Sequence, residues 1–380
     1  MVNEFSNLKK LDSYLNLLIK HGGSDLHMKA GSIIRIRING ELKKVGDKIF
    51  TKNDSVALAQ GLAGGDYDRL LEQKSLDFSY ALGSDYRFRV NIFLQLDGIS
   101  FVFRVIPAKI PSIDDLKLPK IIKKISDETM RGLILITGPT GSGKTTTIAS
   151  MIDRINNKRN SHIITIEDPV EFVFKDDRCI INQRSIGSNC NNFADSLRAA
   201  LREDPDIIFV GEMRDLETIE TALHAAETGH LVLSTLHTID AKESINRVVS
   251  MFEKEEQERI RLSLASVLAA TISQRLAISN DGGRRAVVEV LIKNTRIKDM
   301  ILENRIHEIP DAIQDGKNTY GMQTFDQHLL ELYEQGIVSK DEALDKSTNR
   351  GDLDIMIKNI IAKKTGGQSK DENLIKLQDV

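Results

Sequence analysis

The sequence predicts a mixed α/β protein: a smaller α+β domain, a larger domain built on a mostly parallel sheet, and a helical region at the end. Three observations predict it. Apolar runs at Leu133–Ile136, Ile163–Ile166, Ile207–Val210 and Leu231–Leu233 alternate with helical segments, the pattern of buried parallel strands joined by helices. Upstream, apolar and polar residues alternate at Ile34–Ile38, Arg87–Val90 and Ser100–Arg104, the period of strands with one solvated face. Between the two regions Pro107, Pro111 and Pro119, three of the seven prolines, cluster as in a linker.

In chain order, residues 1–106 open with Leu8, Leu11, Leu15 and Leu18 at helical spacing and continue as an antiparallel sheet. Residues 107–119 form the linker and 120–294 the larger core. Short amphipathic helices follow over 295–362, and the polar tail 363–380 is expected to be mobile. A chain of 380 residues exceeds what one hydrophobic core usually serves, so two domains are the default. A net charge of −3, with 28% charged residues, gives no overall attraction to polyanions. Two cysteines, Cys179 and Cys190, are too few for a disulfide framework or a four-cysteine zinc site, and a reducing cytoplasm fits. The N-terminus lacks a basic and apolar signal region, and no run of about 18 apolar residues occurs, so membrane association would come through partners rather than direct insertion.

The run Leu133–Ile136 leads into Gly138-Pro139-Thr140-Gly141-Ser142-Gly143-Lys144-Thr145-Thr146. This spacing is that of a phosphate-binding loop. Its glycines let backbone N–H groups turn toward phosphates, Lys144 reaches the β/γ oxygens, and Thr145 ligates Mg²⁺. A helix beginning there adds its positive end. The reading is therefore binding of a nucleoside triphosphate with Mg²⁺.

Three further clusters bear on hydrolysis. Ile207–Val210 leads through Gly211 to Glu212, a Walker B-like strand whose carboxylate would hold metal-bound water from the tip of a strand beside the phosphate loop. Glu167, Asp168 and Glu171 surround Pro169 just past Ile163–Ile166; a carboxylate there would orient or deprotonate water, the alternative being a solvated acidic turn. His230 and His237 flank Leu231–Leu236 at a spacing unsuited to a compact metal site, which leaves γ-phosphate sensing, a contact with a neighbouring subunit, or a structural role.

The succession GPTGSGKTTT, ITIEDPVEF and LREDPDIIFVGEMRDLETIETALHAAETGHLVLSTLHT resembles the secretion-superfamily ATPases, and among them the type IV pilus retraction ATPases of PilT and PilU type. The likeness extends to Gly23–His27, Arg87–Asn91, Ile272-Ser273-Gln274 and Gly321–Asp326. It implies a RecA-like P-loop ATPase core, a smaller N-terminal PAS-like α+β domain and a homo-hexameric ring acting on an inner-membrane platform protein. It also implies Glu171 as catalytic carboxylate, Glu212 as Walker B acid, and His230 with His237 as a histidine box. Arg87, Arg89 and Arg104 would reach the nucleotide's phosphates across a domain or subunit boundary; a solvated strand face is the alternative.

Subgroup features are mixed. Val210–Asp215 is similar to PilT, whereas Leu118–Lys124, Gly283–Val290 and the helical end through Lys358 look more like PilU. Where PilT proteins carry an AIRNLIRE helix, this chain has Arg296–Glu303, agreeing in place at Ile297, Ile301 and Glu303. A long additional N-terminal domain and a four-cysteine insertion, usual in extension ATPases, are absent, which favours retraction. The expectation is a cytoplasmic ATPase, peripheral to the inner membrane through partners, either an independent motor or an accessory to a PilT-type homologue. A RecA-like nucleic-acid translocase and a non-motor ATP-binding regulator are the rivals; the absence of tryptophan and the 5% aromatic content speak against a strand-binding surface.

Overall fold

The computed structural model describes residues 2–83, 86–106 and 109–368. Two compact units emerge: the described part of Met1–Ile110 with Ile166–Lys175 and Gln183–Ser196, and Pro111–Thr165 with Asp176–Asn182 and the described part of Leu197–Val380.

In the first unit, β1 (Asp25–Lys29), β2 (Ser32–Ile38), β3 (Glu41–Phe50), β4 (Ser75–Leu82), β5 (Tyr86–Gln95) and β6 (Gly98–Ile106) form one sheet in the order β3-β2-β1-β6-β5-β4. Every adjacent pair is antiparallel. The expected alternating stretches lie in β2, β5 and β6. Their pleat sends Ile34, Ile36, Phe88, Val90, Phe101 and Phe103 into one buried cluster. Leu11, Leu15 and Leu18 of the helix Val2–Lys20 join that cluster, as their spacing requires. A second helix, Lys52–Ala63, starts at a capping box between Thr51 and Asp54 and adds Leu58 and Ala59.

A seven-stranded sheet dominates the remainder. It contains β7 (Gly132–Thr137), β8 (His162–Glu167), β9 (Ile180–Ser185), β10 (Ile207–Val210), β11 (Leu231–Leu236), β12 (Leu268–Ile278) and β13 (Arg284–Ile292), ordered β13-β12-β7-β11-β10-β8-β9. Every residue of β7, β10 and β11 is buried, which is why these strands read as continuous apolar runs. β12, β7, β11 and β10 are mutually parallel, whereas β13 returns antiparallel to β12. Sequence patterning does not predict the β12–β13 hairpin, because Thr271, Ser273 and Gln274 interrupt the apolar run. These polar residues are nevertheless buried in β12, and Ser273 and Gln274 find hydrogen-bond partners on or next to β7.

The strand leading to Glu212 is not the immediate neighbour of β7, since β11 is inserted between β7 and β10. Buried, wholly apolar β10 needs a covered position on both edges, and pairing with β11 gives it one.

Of the expected linker, Pro107 and Ala108 lie outside the described residues. Ile113 and Leu118 are buried, and the Pro111 carbonyl accepts a hydrogen bond from Ser150 Oγ (2.6 Å) on the helix Lys144–Asn156. Beyond Thr295 the described chain is helical apart from its turns, and Phe325, Leu329, Leu353 and Ile357 pack against Ala277 of β12 and Val287 of β13. Gln323 exchanges backbone hydrogen bonds with Val290 (2.8 and 3.2 Å), docking this region onto β13. The last helix, Arg350–Gln368, runs past residue 363, where a mobile tail was expected to begin; residues 369–380 lie outside the described residues. Among the described residues, no helix is long and apolar enough to cross a membrane.

Candidate functional site

At the carboxyl end of β7 the chain turns into Gly138, whose φ is +141°. A Cβ there would meet the Gln274 backbone oxygen at 2.3 Å, so only glycine fits. Gly143 closes the loop at φ +91°, where a Cβ would lie 2.8 Å from Gln274 Nε2. The following helix, Lys144–Asn156, has no side-chain cap, so no capping side chain occupies its first N–H groups.

Lys144 is buried, and its Nζ donates to the carbonyls of Gly138 (2.7 Å) and Pro139 (3.0 Å), holding the ammonium inside the loop's curve. Ser142 Oγ is buried and lacks a hydrogen-bond partner, a polar atom that a phosphate oxygen would satisfy. Pro139, Thr140 and Gly141 are exposed, while Thr145 and Thr146 are half-buried in the helix's first turn. The loop is held on two sides: Gly138 N–H donates to the Leu236 carbonyl of β11 (3.3 Å), and Gln274 Nε2 donates to the Ser142 carbonyl (2.8 Å). Thr147 Oγ1 donates to Gln274 Oε1 (2.8 Å), and Thr137 Oγ1 donates to Ser273 Oγ (3.0 Å).

Glu212 stands just beyond β10 at the same carboxyl edge, its side chain 17% exposed. Arg214 Nε contacts its Oε2 at 2.7 Å and His237 Nε2 lies 3.7 Å from the same oxygen. Register explains the gathering. Thr137 of β7 pairs with Leu236 of β11, and Val210 of β10 with Ser234, so Gly138, Glu212 and His237 all leave the sheet at one edge. With one strand between them, β7 and β10 end about 10 Å apart, enough for a terminal phosphate and a hydrated cation.

His230 departs from the expected box within one chain. It precedes β11, at the opposite edge, where its carbonyl accepts from Gly132 N–H (3.0 Å) and its Nδ1 lies 2.9 Å from the Ala225 carbonyl. The two histidines bracket a six-residue strand and are therefore about 20 Å apart.

The remaining expected residues lie in the first unit. Glu171 is exposed, while Glu167, at the end of β8, is buried and accepts from Gln183 Nε2 (3.2 Å). Arg87 and Arg89 are exposed on β5, and Arg89 stands opposite Arg104 of β6. Arg104 in turn stands opposite Asp25 of β1, which faces Arg37 of β2. One lateral row across four strands thus carries three arginines and one carboxylate. Arg104 Nε donates to Asp25 Oδ1 (2.8 Å), with Arg37 Nε 3.7 Å from Oδ2 and Ser24 Oγ donating at 2.8 Å. Burial alone would push the Asp25 carboxyl up, but the hydrogen bonds from Arg104 and Ser24 outweigh it and hold the group below its ordinary 3.8.

Sequence reasoning missed Gln274, Asp25 and Arg214. Gln274 had a usable signal, an amide embedded in an otherwise apolar and hydroxyl-bearing stretch; Asp25 is the one carboxylate in a strand that otherwise reads Leu-His-Met-Lys.

Comparison with known proteins gives concordant findings. The family of type II/IV secretion system proteins matches residues 4–345. The type IV pilus retraction ATPase PilT of Pseudomonas aeruginosa is 44% identical over 332 residues, covering 86% of this chain and 95% of that protein. The type IV pilus ATPase PilU of the same organism is 36% identical over 351 residues, covering 92% and 91%. A crystal structure of the pilus retraction motor PilT with bound ADP superposes with a TM-score of 0.84 at 43% identity, covering 90% of this chain and 98% of that one.

Two outcomes follow from this geometry. Gly138→Ala is expected to cost about 1–3 kcal/mol, from the forced displacement of β12 or the loop, and to weaken ADP binding, as measured by calorimetry. Because the folded Asp25 carboxyl is depressed, its contribution is complete above pH 3.8 and is lost as pH falls through the lower folded value. Asp25→Asn should therefore lower stability by about 1 kcal/mol at pH 7, a value discounted for the exposure of Arg104, and the difference from wild type should shrink below pH 4 in denaturant titrations.

Proposed function

The chain belongs to the type II/IV secretion system protein family, and we propose that it is an ATP-hydrolysing motor that powers type IV pilus retraction. The observation that carries this reading is the edge at which a glycine-rich loop with buried Lys144, the carboxylate Glu212 and His237 leave one sheet. The larger unit is read as a RecA-like P-loop core and the smaller as a PAS-like domain. Six chains form a ring in the cytoplasm, bound to the inner membrane through a platform protein.

In this reading the N–H groups of Gly138–Gly143 and of the first helical turn, including Thr146, bind the phosphates, and Lys144 neutralises their β/γ oxygens. The donor set fits Mg²⁺: Thr145 Oγ1 in the first helical turn and Glu212 beyond the end of β10, two strands from β7, would hold it, the latter through water. When bound, the ion supplies charge neutralisation on the phosphoryl oxygens. Glu171 orients and deprotonates the attacking water. Arg87, Arg89 and Arg104 meet the phosphates across a subunit boundary, and Asp25 keeps Arg104 extended on the face it shares with Arg89. His237 reports the γ-phosphate to Glu212, its neighbour at 3.7 Å, and His230, at the far sheet edge, serves a neighbouring subunit.

A second reading, an accessory ATPase working beside a PilT-type homologue, rests on the helix Thr295–Leu302. Its Ile297 and Ile301, two of the three positions that agree with the retraction helix, are core residues, whereas the departing Arg296 and Lys298 are exposed. Agreement there reports packing, and the exposed face is this chain's own.

Lys144→Ala is expected to lower ATP turnover by about a hundredfold or more and to abolish nucleotide binding. Glu171→Gln and Glu212→Ala should each lower turnover by about a hundredfold while leaving the ADP dissociation constant within about threefold. Near-wild-type turnover in Glu171→Gln would reject its role. Mass photometry with an ATP analogue should show six-chain assemblies; a strict monomer under all nucleotide conditions would reject the ring. Deletion of the gene should abolish retraction if the chain is the motor and leave it running if the chain is an accessory.

A further inference from the structure

We propose that Gln274 of β12 is a positioning residue that sets nucleotide affinity by fixing the Ser142–Gly143 peptide of the phosphate loop. The assignment rests on the reading of Gly138–Thr145 as a nucleotide cradle. Gln274 is 2% exposed and both ends of its amide are used: Nε2 donates to the Ser142 carbonyl at 2.8 Å, and Oε1 accepts from Thr147 Oγ1 at 2.8 Å. A peptide unit is planar and trans, so its C=O and N–H point in opposite directions. Anchoring the Ser142 carbonyl toward β12 therefore turns the Gly143 N–H away from β12, as phosphate coordination by a glycine-rich loop requires. The Ser142 carbonyl fixes which end of the amide faces the loop, because an amide oxygen aimed at it would set acceptor against acceptor, and the Thr147 hydroxyl then donates to Oε1.

The backbone enforces the same contact. The Gln274 carbonyl occupies the space where a Cβ of residue 138 would sit, and Nε2 the space beside Gly143. Two of the loop's glycines are thus small because Gln274 lies against them. Adjacent Arg275 points to the other side of the strand, where Nη1 donates to the Lys346 carbonyl (2.8 Å) and the guanidinium lies 3.8 Å from the centroid of the Phe325 ring. That anchor prevents β12 from rotating and fixes the direction in which Gln274 projects.

The test uses the full-length protein and measures Mg·ADP affinity by calorimetry, together with thermal stability with and without ADP. Gln274→Met, close in shape but unable to hydrogen bond, should raise the dissociation constant about tenfold and shrink the stabilisation by ADP, while the nucleotide-free Tm stays within a few degrees of wild type. Thr147→Val, which leaves the Ser142 bond in place, should change the dissociation constant less than about threefold. Should Gln274→Met fail to fold, Gln274→Glu, which retains the Thr147 acceptor and loses the donor, is expected to weaken ADP in the same way. An unchanged dissociation constant in a folded Gln274 variant, or equal losses in the Gln274 and Thr147 variants, would overturn the assignment while wild-type binding preserved the nucleotide reading. A wild-type protein that binds no Mg·ADP would overturn both.

Discussion

The contact between the phosphate loop and β12 is the constraint on which the rest of the larger unit depends. A backbone oxygen 2.3 Å from the position of a Cβ on residue 138 leaves no choice of residue there. The same approach places the Gln274 amide within reach of both the loop and the helix behind it. For β12 to lie so close it must itself be covered, and β13 with the helices from Phe325 onward does that. The C-terminal region therefore supports the loop by holding the strand that holds it. On the other side β11 pins Gly138 and brings His237 to Glu212, so the loop is held from both strands that flank β7.

The smaller unit follows a different logic, in which one buried carboxylate organises a cationic face. Like charges opposite one another on adjacent strands repel, and Arg89 against Arg104 is such a pair. Asp25 offsets that cost by engaging Arg104 from the other side, with Arg37 on its second oxygen. Its burial and its hydrogen bonds belong together: a buried carboxylate without partners would protonate, and the arginines would then face each other uncompensated. What results is a face with a surplus of guanidinium groups held in a fixed row.

Fold and site were legible in the sequence to different degrees. β7, β8, β10 and β11 were readable because strands buried on both faces carry runs of consecutive apolar residues. The helix of Leu11, Leu15 and Leu18 was readable because one face packs on a sheet. β12 was not, since its core residues Ala270, Ile272 and Ala277 are interrupted by Thr271, Ser273 and Gln274, and no local pattern announces a hydrogen bond across more than a hundred residues. The strand–loop–helix geometry at Gly138–Lys144 was legible because its glycine spacing is local. The insertion of β11 between β7 and β10 and the separation of His230 from His237 were not, because strand order and strand direction decide them and both are set by long-range pairing.

The central claim, that Gly138–Thr145 is a nucleotide cradle shaped by β12, is tested most directly by determining the structure of the full chain with Mg·ADP. The account predicts the diphosphate against the loop, with Lys144 Nζ on a phosphate oxygen, Thr145 on the metal side and Gln274 still bonded to the Ser142 carbonyl. ADP bound away from the loop, or bound there with Gln274 detached from Ser142, would contradict it.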